Sequence, residues 1–220
     1  MSQSPDLVCP LCSSRQSEAF HQDNKRPYLR CPECKLVFVP ASYHLSFNEE
    51  KAEYDLHRNN PDDQGYRAFL SRLFQPLMTR LPVQARGLDF GSGPGPTLSV
   101  MFEEAGFSVA NFDPFYANDS SLLDQSFDFI TATEVVEHLR NPRQEFERLF
   151  TMLDDGGYLG IMTKLVKDRE AFKQWHYKND PTHISFFSRD AFVWLANRWQ
   201  MELTFIGNDV VLLKKNAPRP

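Results

Sequence analysis

Asp89-Phe90-Gly91-Ser92-Gly93-Pro94-Gly95, which follows the buried-type run Gly87-Leu88, is the stretch on which the fold turns. Glycines placed just after a short apolar strand let the backbone turn tightly and come close to a ligand. In an open parallel sheet that turn lies at the carboxyl edge, where ligands bind. A second strand-like run, Ser108 to Phe112, ends at Asp113, twenty residues beyond Gly93. An acidic side chain at that spacing can accept hydrogen bonds from ribose hydroxyls, so loop and acid support one another.

Outward from the loop, strand and helix patterns alternate. A helix is expected from about Pro96 to Ala105, with Gly106 as its C-cap. Phe127 to Ala132 reads as a further strand, leading into Thr133-Glu134-Val135-Val136-Glu137-His138-Leu139. Asn141-Pro142 should open the next helix, with Asn141 capping and Gln144 completing a capping box. Asp154-Asp155-Gly156-Gly157 reads as a turn into a strand over 158–163; a helix over 188–199 and two short β-runs around Gly207-Asn208-Asp209 close the chain. This order gives an α/β fold with a mainly parallel sheet flanked by helices. Residues 86–220 form this domain. Residues 41–85 read as a helical connection, with apolar Tyr66, Phe69, Leu70, Leu73, Phe74 and Leu77 at helical spacing and Pro76 and Pro82 punctuating its end.

Residues 1–40 differ in kind. All four cysteines lie there, as Cys9-Pro10-Leu11-Cys12 and Cys31-Pro32-Glu33-Cys34 with eighteen residues between the pairs. Two such knuckles match a four-thiolate zinc ribbon, and four protein ligands leave no vacancy for water, so the zinc is expected to be structural. Two disulfides are the competing reading, disfavoured in a reducing cytoplasm. The net charge of −5 argues against a broad nucleic-acid-binding face. No apolar run is long enough for a membrane span, and the N-terminus lacks a secretory signal pattern, so a cytoplasmic location is expected.

Two nucleotide cofactors use a glycine loop paired with a downstream acid. A dinucleotide fingerprint runs Gly-x-Gly-x-x-Gly, but here the third glycine comes one residue early, at Gly95. Pro94 and Pro96 also remove two N–H donors that a pyrophosphate would want. S-adenosylmethionine carries no phosphate, and Asp89 suits a cofactor with an amino-acid end. The loop with Asp113, and the Thr133–Leu139 run followed by Asn141-Pro142, resemble class I methyltransferases, in particular the group that includes the ubiquinone-pathway methylases. The resemblance covers about residues 54–215. It implies a Rossmann-like seven-stranded sheet with an antiparallel C-terminal strand, bound S-adenosylmethionine, Gly91, Gly93 and Gly95 along its methionine end, and Asp113 on the ribose. Ser92, Thr133 and Glu134 join this cofactor set. The chain departs from the family between Asp113 and Phe127, where thirteen residues replace a helix, a third strand and an adenine-contacting acid; Asp119 and Asp124 are the acids available there.

Methyl transfer needs an aligned nucleophile and, for a hydroxyl or carbon acid, a base. His183, in Asp180-Pro181-Thr182-His183, is the first candidate, with Asp180 as its orienting partner. A similar Asp-x-x-His run contributes to the active-site wall of related methyltransferases. His138 is the second, and fixing the local backbone is its competing role. Tyr54, His57 and Tyr66 precede the core where related enzymes carry a lid. The absence of cysteine after residue 34 excludes a covalent cysteine adduct on a pyrimidine. The leading expectation is therefore methylation of a small molecule. The alternatives are an RNA methyltransferase whose ribbon helps dock RNA, a zinc-binding interaction protein with an inactive domain, and a nicotinamide oxidoreductase. Lys164, Lys167, Arg169, Lys173 and Lys178 form only a weak basic patch, expected to be a solvated face.

Overall fold

Alternation of apolar residues along the strands sets the layers. The computed structural model describes residues 7–56 and 59–217; His57 lies outside them. The first three strands are β1 (Glu18–Gln22), β2 (Pro27–Arg30) and β3 (Val37–Phe38), and two helices follow, α1 (Phe47–Tyr54) and α2 (Gln64–Met78). The central region runs β4 (Arg86–Phe90), α3 (Thr97–Glu104), β5 (Ser108–Phe112), β6 (Phe127–Thr133), α4 (Pro142–Met152) and β7 (Leu153–Met162). The chain ends with α5 (Arg169–Lys173), β8 (Ser185–Phe186), α6 (Arg189–Trp199), β9 (Glu202–Ile206) and β10 (Val210–Lys214).

The large sheet has the order β5-β4-β6-β7-β10-β9. Strands β5, β4, β6 and β7 pair in parallel, and β10 runs antiparallel to both β7 and β9. Among the described residues the sheet has six strands rather than seven. The missing strand is the one beyond β5, and the short 114–126 segment, which forms only a 3₁₀ turn at Ser120–Asp124, has no residues to supply it. Along β10, Val210 and Leu212 join α2 and α3 on one face, while Val211 and Leu213 join α4 and α6 on the other. That is the period-two alternation of a strand covered on both sides.

Three local expectations are corrected. Pro76 lies inside α2 rather than ending it, and the helix runs two residues further. Asn141 makes no side-chain cap; the helix starts on Pro142, whose fixed φ suits the first turn, without a capping box. Asp154 to Gly157 is part of β7, where Leu153 pairs with Phe127 before a bulge and Gly156 takes a left-handed φ of 82°.

The N-terminal segment does not stand apart. β1, β2 and β3 form an antiparallel sheet whose fourth member is β8, so strands from both ends of the chain meet in it. Phe20, Tyr28, Val37 and Val39 pack with Phe172, Tyr177, Ile184 and Phe186 in one apolar cluster. Cys9, Leu11, Cys31 and Leu36 belong to the same core as α4 and α6.

Candidate functional site

The glycine loop, the end of β5 and the end of β6 open onto one cavity of about 680 Å³. Gly91 and Gly93 hold left-handed φ values of 75° and 64°, where a side chain is strained. Gly95 answers a different demand: a Cβ there would meet the Asn59 carbonyl at 2.3 Å, so the lead-in to α2 crosses directly over the loop. The amides of Gly91 and Ser92 donate to the Phe112 carbonyl, at 2.7 and 3.3 Å, and that of Gly93 to Asp113 Oδ2 at 2.9 Å. With prolines at 94 and 96, the loop turns its donors inward and leaves no nest for a pyrophosphate.

Asp113 is 6% exposed and also accepts from the Phe115 and Tyr116 amides, at 2.8 and 3.1 Å. The carboxylate is thereby fixed at the rim, with further lone pairs for a ligand. Asp89 is buried beneath the loop, accepting from Thr131 Oγ1 at 2.7 Å and Ser99 Oγ at 3.3 Å. Burial raises its carboxyl to about 6, against the pull of those two hydroxyls. Ser92 Oγ is buried with no hydrogen-bond partner, a polar atom that a ligand in the cavity would satisfy. Thr133 and Glu134 also line the cavity. Glu134 has a left-handed φ of 53° without being glycine, a strain that accumulates at functional sites. Burial lifts its carboxyl to about 7, with Lys164 opposing. Asp119 caps the 3₁₀ turn through Ser121, and neither it nor Asp124 lines the cavity.

The same cavity is also lined by His138, Asp180 and His183. The two imidazole rings lie 4.7 Å apart, centroid to centroid. His183 Nδ1 is 2.7 Å from the Tyr177 carbonyl and His138 Nδ1 is 3.3 Å from that of Thr182. A carbonyl can only accept, so each Nδ1 carries a proton, and in the neutral form of His183 the lone pair lies on Nε2. Asp180 Oδ2 lies 3.7 Å from His183 Nε2, while Oδ1 accepts from the Thr182 amide and hydroxyl. Burial lowers the affinity of His183 for a proton, and Asp180 opposes that shift. Burial works against the charge on Asp180, but the Thr182 hydroxyl, His183 and the Thr182 amide outweigh it, so the carboxyl stays below its ordinary value.

Sequence reasoning missed two contributors here. Glu137, 1% exposed, sits behind the histidines, accepting from Thr163 Oγ1 at 2.9 Å and from the Tyr177 hydroxyl. Burial, then the neighbouring Glu134, raises it to about 8. Its only sequence signal was its place in the run 133–139. Arg26, 6% exposed, donates to the carbonyls of Lys178, Asp180 and Pro181, at 2.8, 2.7 and 2.9 Å. Lys178, expected on a solvated face, is buried and faces Asp23 at 3.4 Å. Of the lid residues, Tyr54 and Tyr66 line the cavity.

The four cysteines come together in one cluster with all sulfurs within 4.8 Å. Cys9 and Cys34, and Cys12 and Cys31, lie 3.4 Å apart, beyond a disulfide and close to the spacing of thiolates around one ion. The knuckles share one geometry: Ser13 and Lys35 both have φ of 62° and donate back to Cys9 and Cys31. Among the described residues no helix is long and apolar enough to cross a membrane.

A family described as a methyltransferase domain matches residues 62–204. No curated protein matches the sequence. The chain is similar in fold to the plantazolicin methyltransferase BpumL solved with SAH, at 14% identity and a TM-score of 0.51, covering 77% of this chain and 90% of that one. It is similar to a structure from the Haloferax volcanii complex of the Trm112 methyltransferase activator with a protein assigned as a methyltransferase, at 10% identity and a TM-score of 0.50, covering 77% and 98%. A protein assigned as a methyltransferase from Bacillus halodurans C-125 gives 18% identity and a TM-score of 0.50, covering 62% and 67%.

Proposed function

The chain belongs to the methyltransferase-domain family, and on that premise we propose that it is an S-adenosylmethionine-dependent methyltransferase acting on a small-molecule acceptor. The observation that carries the reading is the inward-turned glycine loop with Asp113 at its rim and Ser92 Oγ buried without a partner. Those features suit a cofactor without phosphates. Gly91, Gly93 and Gly95 give its methionine end room. Ser92, Asp89, Thr133 and Glu134 face that end, and Asp113 accepts from the ribose hydroxyls. When bound, the cofactor supplies a methyl group on an activated sulfonium.

The chain's own contribution is alignment, water exclusion and proton handling. Tyr54, Tyr66 and Phe115 wall the cavity with aromatic surface. His183 Nε2 takes the acceptor's proton, and Asp180 stabilises the imidazolium that results. His138 packs against His183 and shapes the acceptor end. Cys9, Cys12, Cys31 and Cys34 hold a structural zinc, and free thiols of this kind suit a cytoplasmic protein. Burial of Arg26 and Lys178 removes two cations from the surface and so favours a small acceptor over RNA.

Titration calorimetry on the zinc-loaded chain tests the cofactor. S-adenosylmethionine should bind, NADH should not, and Asp113→Ala should weaken binding by about 10- to 100-fold, the loss of a charge-assisted hydrogen bond worth roughly 1.5–3 kcal/mol. No binding of S-adenosylmethionine, or tighter binding of NADH, overturns the reading.

A further inference from the structure

We infer that Glu145, in the first turn of α4, accepts the hydrogen bond of the cofactor's exocyclic adenine amine, with Arg148 holding the carboxylate in place. The inference rests on the methyl-transfer reading and adds to it the residue that selects the nucleobase. An adenine ring makes two demands on a pocket. Its faces need apolar or aromatic surface, and its amine needs an acceptor.

The path of the chain after the ribose acid leaves that acceptor to α4. Asp113 and Ala117 pair back on one another through two backbone hydrogen bonds of 3.0 Å, so the chain reverses at once. The 3₁₀ turn that follows, Ser120–Asp124, lies against both β5 and α4. Its Leu122 and Leu123 pack on the core that holds Phe146 and Leu149 of α4. Among the described residues no strand stands beyond β5, and neither Asp119 nor Asp124 lines the cavity. α4, the neighbour of that turn, does contribute: Asn141, Glu145 and Arg148 line the cavity and follow one another at helical spacing.

The other carboxylates that line the cavity have partners or roles of their own. Asp89 accepts from Thr131 and Ser99, and Glu50 from Tyr54 and Arg140, one donor to each oxygen. Asp180 is held by Thr182 and faces His183, Glu134 meets the Tyr177 hydroxyl, and Asp113 is assigned to the ribose. Glu145 remains. Arg148 Nη1 donates to its Oε2 at 2.7 Å, and among the described residues Oε1 has no donor. Burial raises the Glu145 carboxyl above its ordinary value and Arg148 opposes that shift; an N–H donor on Oε1 opposes it further. Apolar surface is at hand in Leu139 and in Phe115, which stands two residues beyond Asp113 and is steadied by the Phe47 ring, 4.5 Å away between centroids.

The consequence is selectivity for the base. An ionised carboxylate accepts and cannot donate. It favours an amine at the exocyclic position and repels a carbonyl oxygen placed there. A site built around a hydrogen bond rejects the analogue that lacks it more strongly than a site built on shape alone. Arg148 acts through Glu145, as a positioning residue that keeps Oε1 turned to the ligand.

The test is calorimetric titration of the full-length, zinc-loaded chain with S-adenosylhomocysteine and with S-inosylhomocysteine, in which a carbonyl oxygen replaces the amine. The wild type should prefer the adenosyl compound by at least about tenfold, as befits a charge-assisted hydrogen bond. Glu145→Gln presents an amide that can turn either its carbonyl or its N–H to the ligand, so the two affinities should come within about threefold of one another. Asp113→Ala should weaken both compounds alike and keep their ratio. Glu145→Gln preserves the side chain's volume, and the wild-type ratio is readable even if that variant does not fold. Wild type that binds both compounds equally, or a Glu145→Gln protein that keeps the full preference, overturns the role of Glu145 and leaves the cofactor assignment standing. Wild type that binds neither compound overturns the cofactor assignment and the role of Glu145 with it.

Discussion

Asp89 sits where burial makes a charge costly. Its oxygens accept from Thr131 and Ser99, yet burial outweighs both and raises the carboxyl to about 6 from an ordinary 3.8. A carboxyl with a raised folded-state pKa holds its proton in the native state over a range where the unfolded chain has lost it. Stability is therefore fully present below about 4 and falls as pH rises through about 6. Asp89→Asn has no proton to lose, so in the absence of cofactor the variant should gain on the wild type across that window by roughly 2–3 kcal/mol. Urea unfolding of both proteins at pH 4 and pH 7, on the order of one transition each, measures the difference. A constant difference across the range contradicts the assignment. Asp113 contrasts with it: held at the rim by three backbone amides, it is a fixed acceptor from the start.

The segment 176–184 shows how an element without regular structure can be made precise. A 3₁₀ turn over His176–Asn179 and two residues of β8 are its only regular parts. Rigidity comes from elsewhere: Arg26 clamps three of its carbonyls, the Val39 amide donates to the Ile184 carbonyl, and the Ile184 amide donates to the backbone carbonyl of Glu137. The N-terminal sheet thus positions the loop that carries Asp180 and His183. Arg26→Lys replaces a planar fork by a point donor that cannot reach all three carbonyls. Amide hydrogen exchange over 176–184 should quicken by about tenfold or more, one lost charged hydrogen bond being worth roughly 1.5–3 kcal/mol. S-adenosylmethionine affinity should stay within about twofold, because Arg26 is not among the residues lining the cavity. Unaltered exchange in the variant denies the clamp. α1 is the opposite case: it buries no residue and is tied over the cavity by polar links such as Arg140–Glu50 at 2.6 Å and by Tyr54.

At the scale of the whole molecule, the cysteine unit and the large sheet share hydrophobic cores, so they should unfold together. If the four cysteines hold zinc as proposed, Cys31→Ser should release it and lower stability by about 3 kcal/mol, roughly 6–12 °C at this length, in one calorimetric transition. Two separated transitions, with the later one unmoved, contradict that coupling. The same shared cores mark the limit of what local pattern reveals. The strands at 86–90 and 108–112, the helix after the loop and the final hairpin are written in periodicity and glycine placement, which act over a few residues. The cysteine spacing and the coupling of Gly93 to Asp113 are equally local rules of geometry, and the structure joins that pair by a 2.9 Å hydrogen bond. Lys178 looked solvated, and Arg26 gave no signal, because nothing near them in sequence reveals that they face each other's segments, some 150 residues apart. Glu137 was likewise silent, since only the packing of Tyr177 and Thr163 around it creates its environment. By itself the sequence determined the succession of strands and helices, the glycine loop and the clustering of the cysteines, because turns, strands and knuckles obey short-range sterics. Tertiary structure alone decided that the N-terminal unit is built against the segment that lines the cavity and that a buried carboxylate meets two imidazoles there, because both depend on which distant surfaces exclude water together.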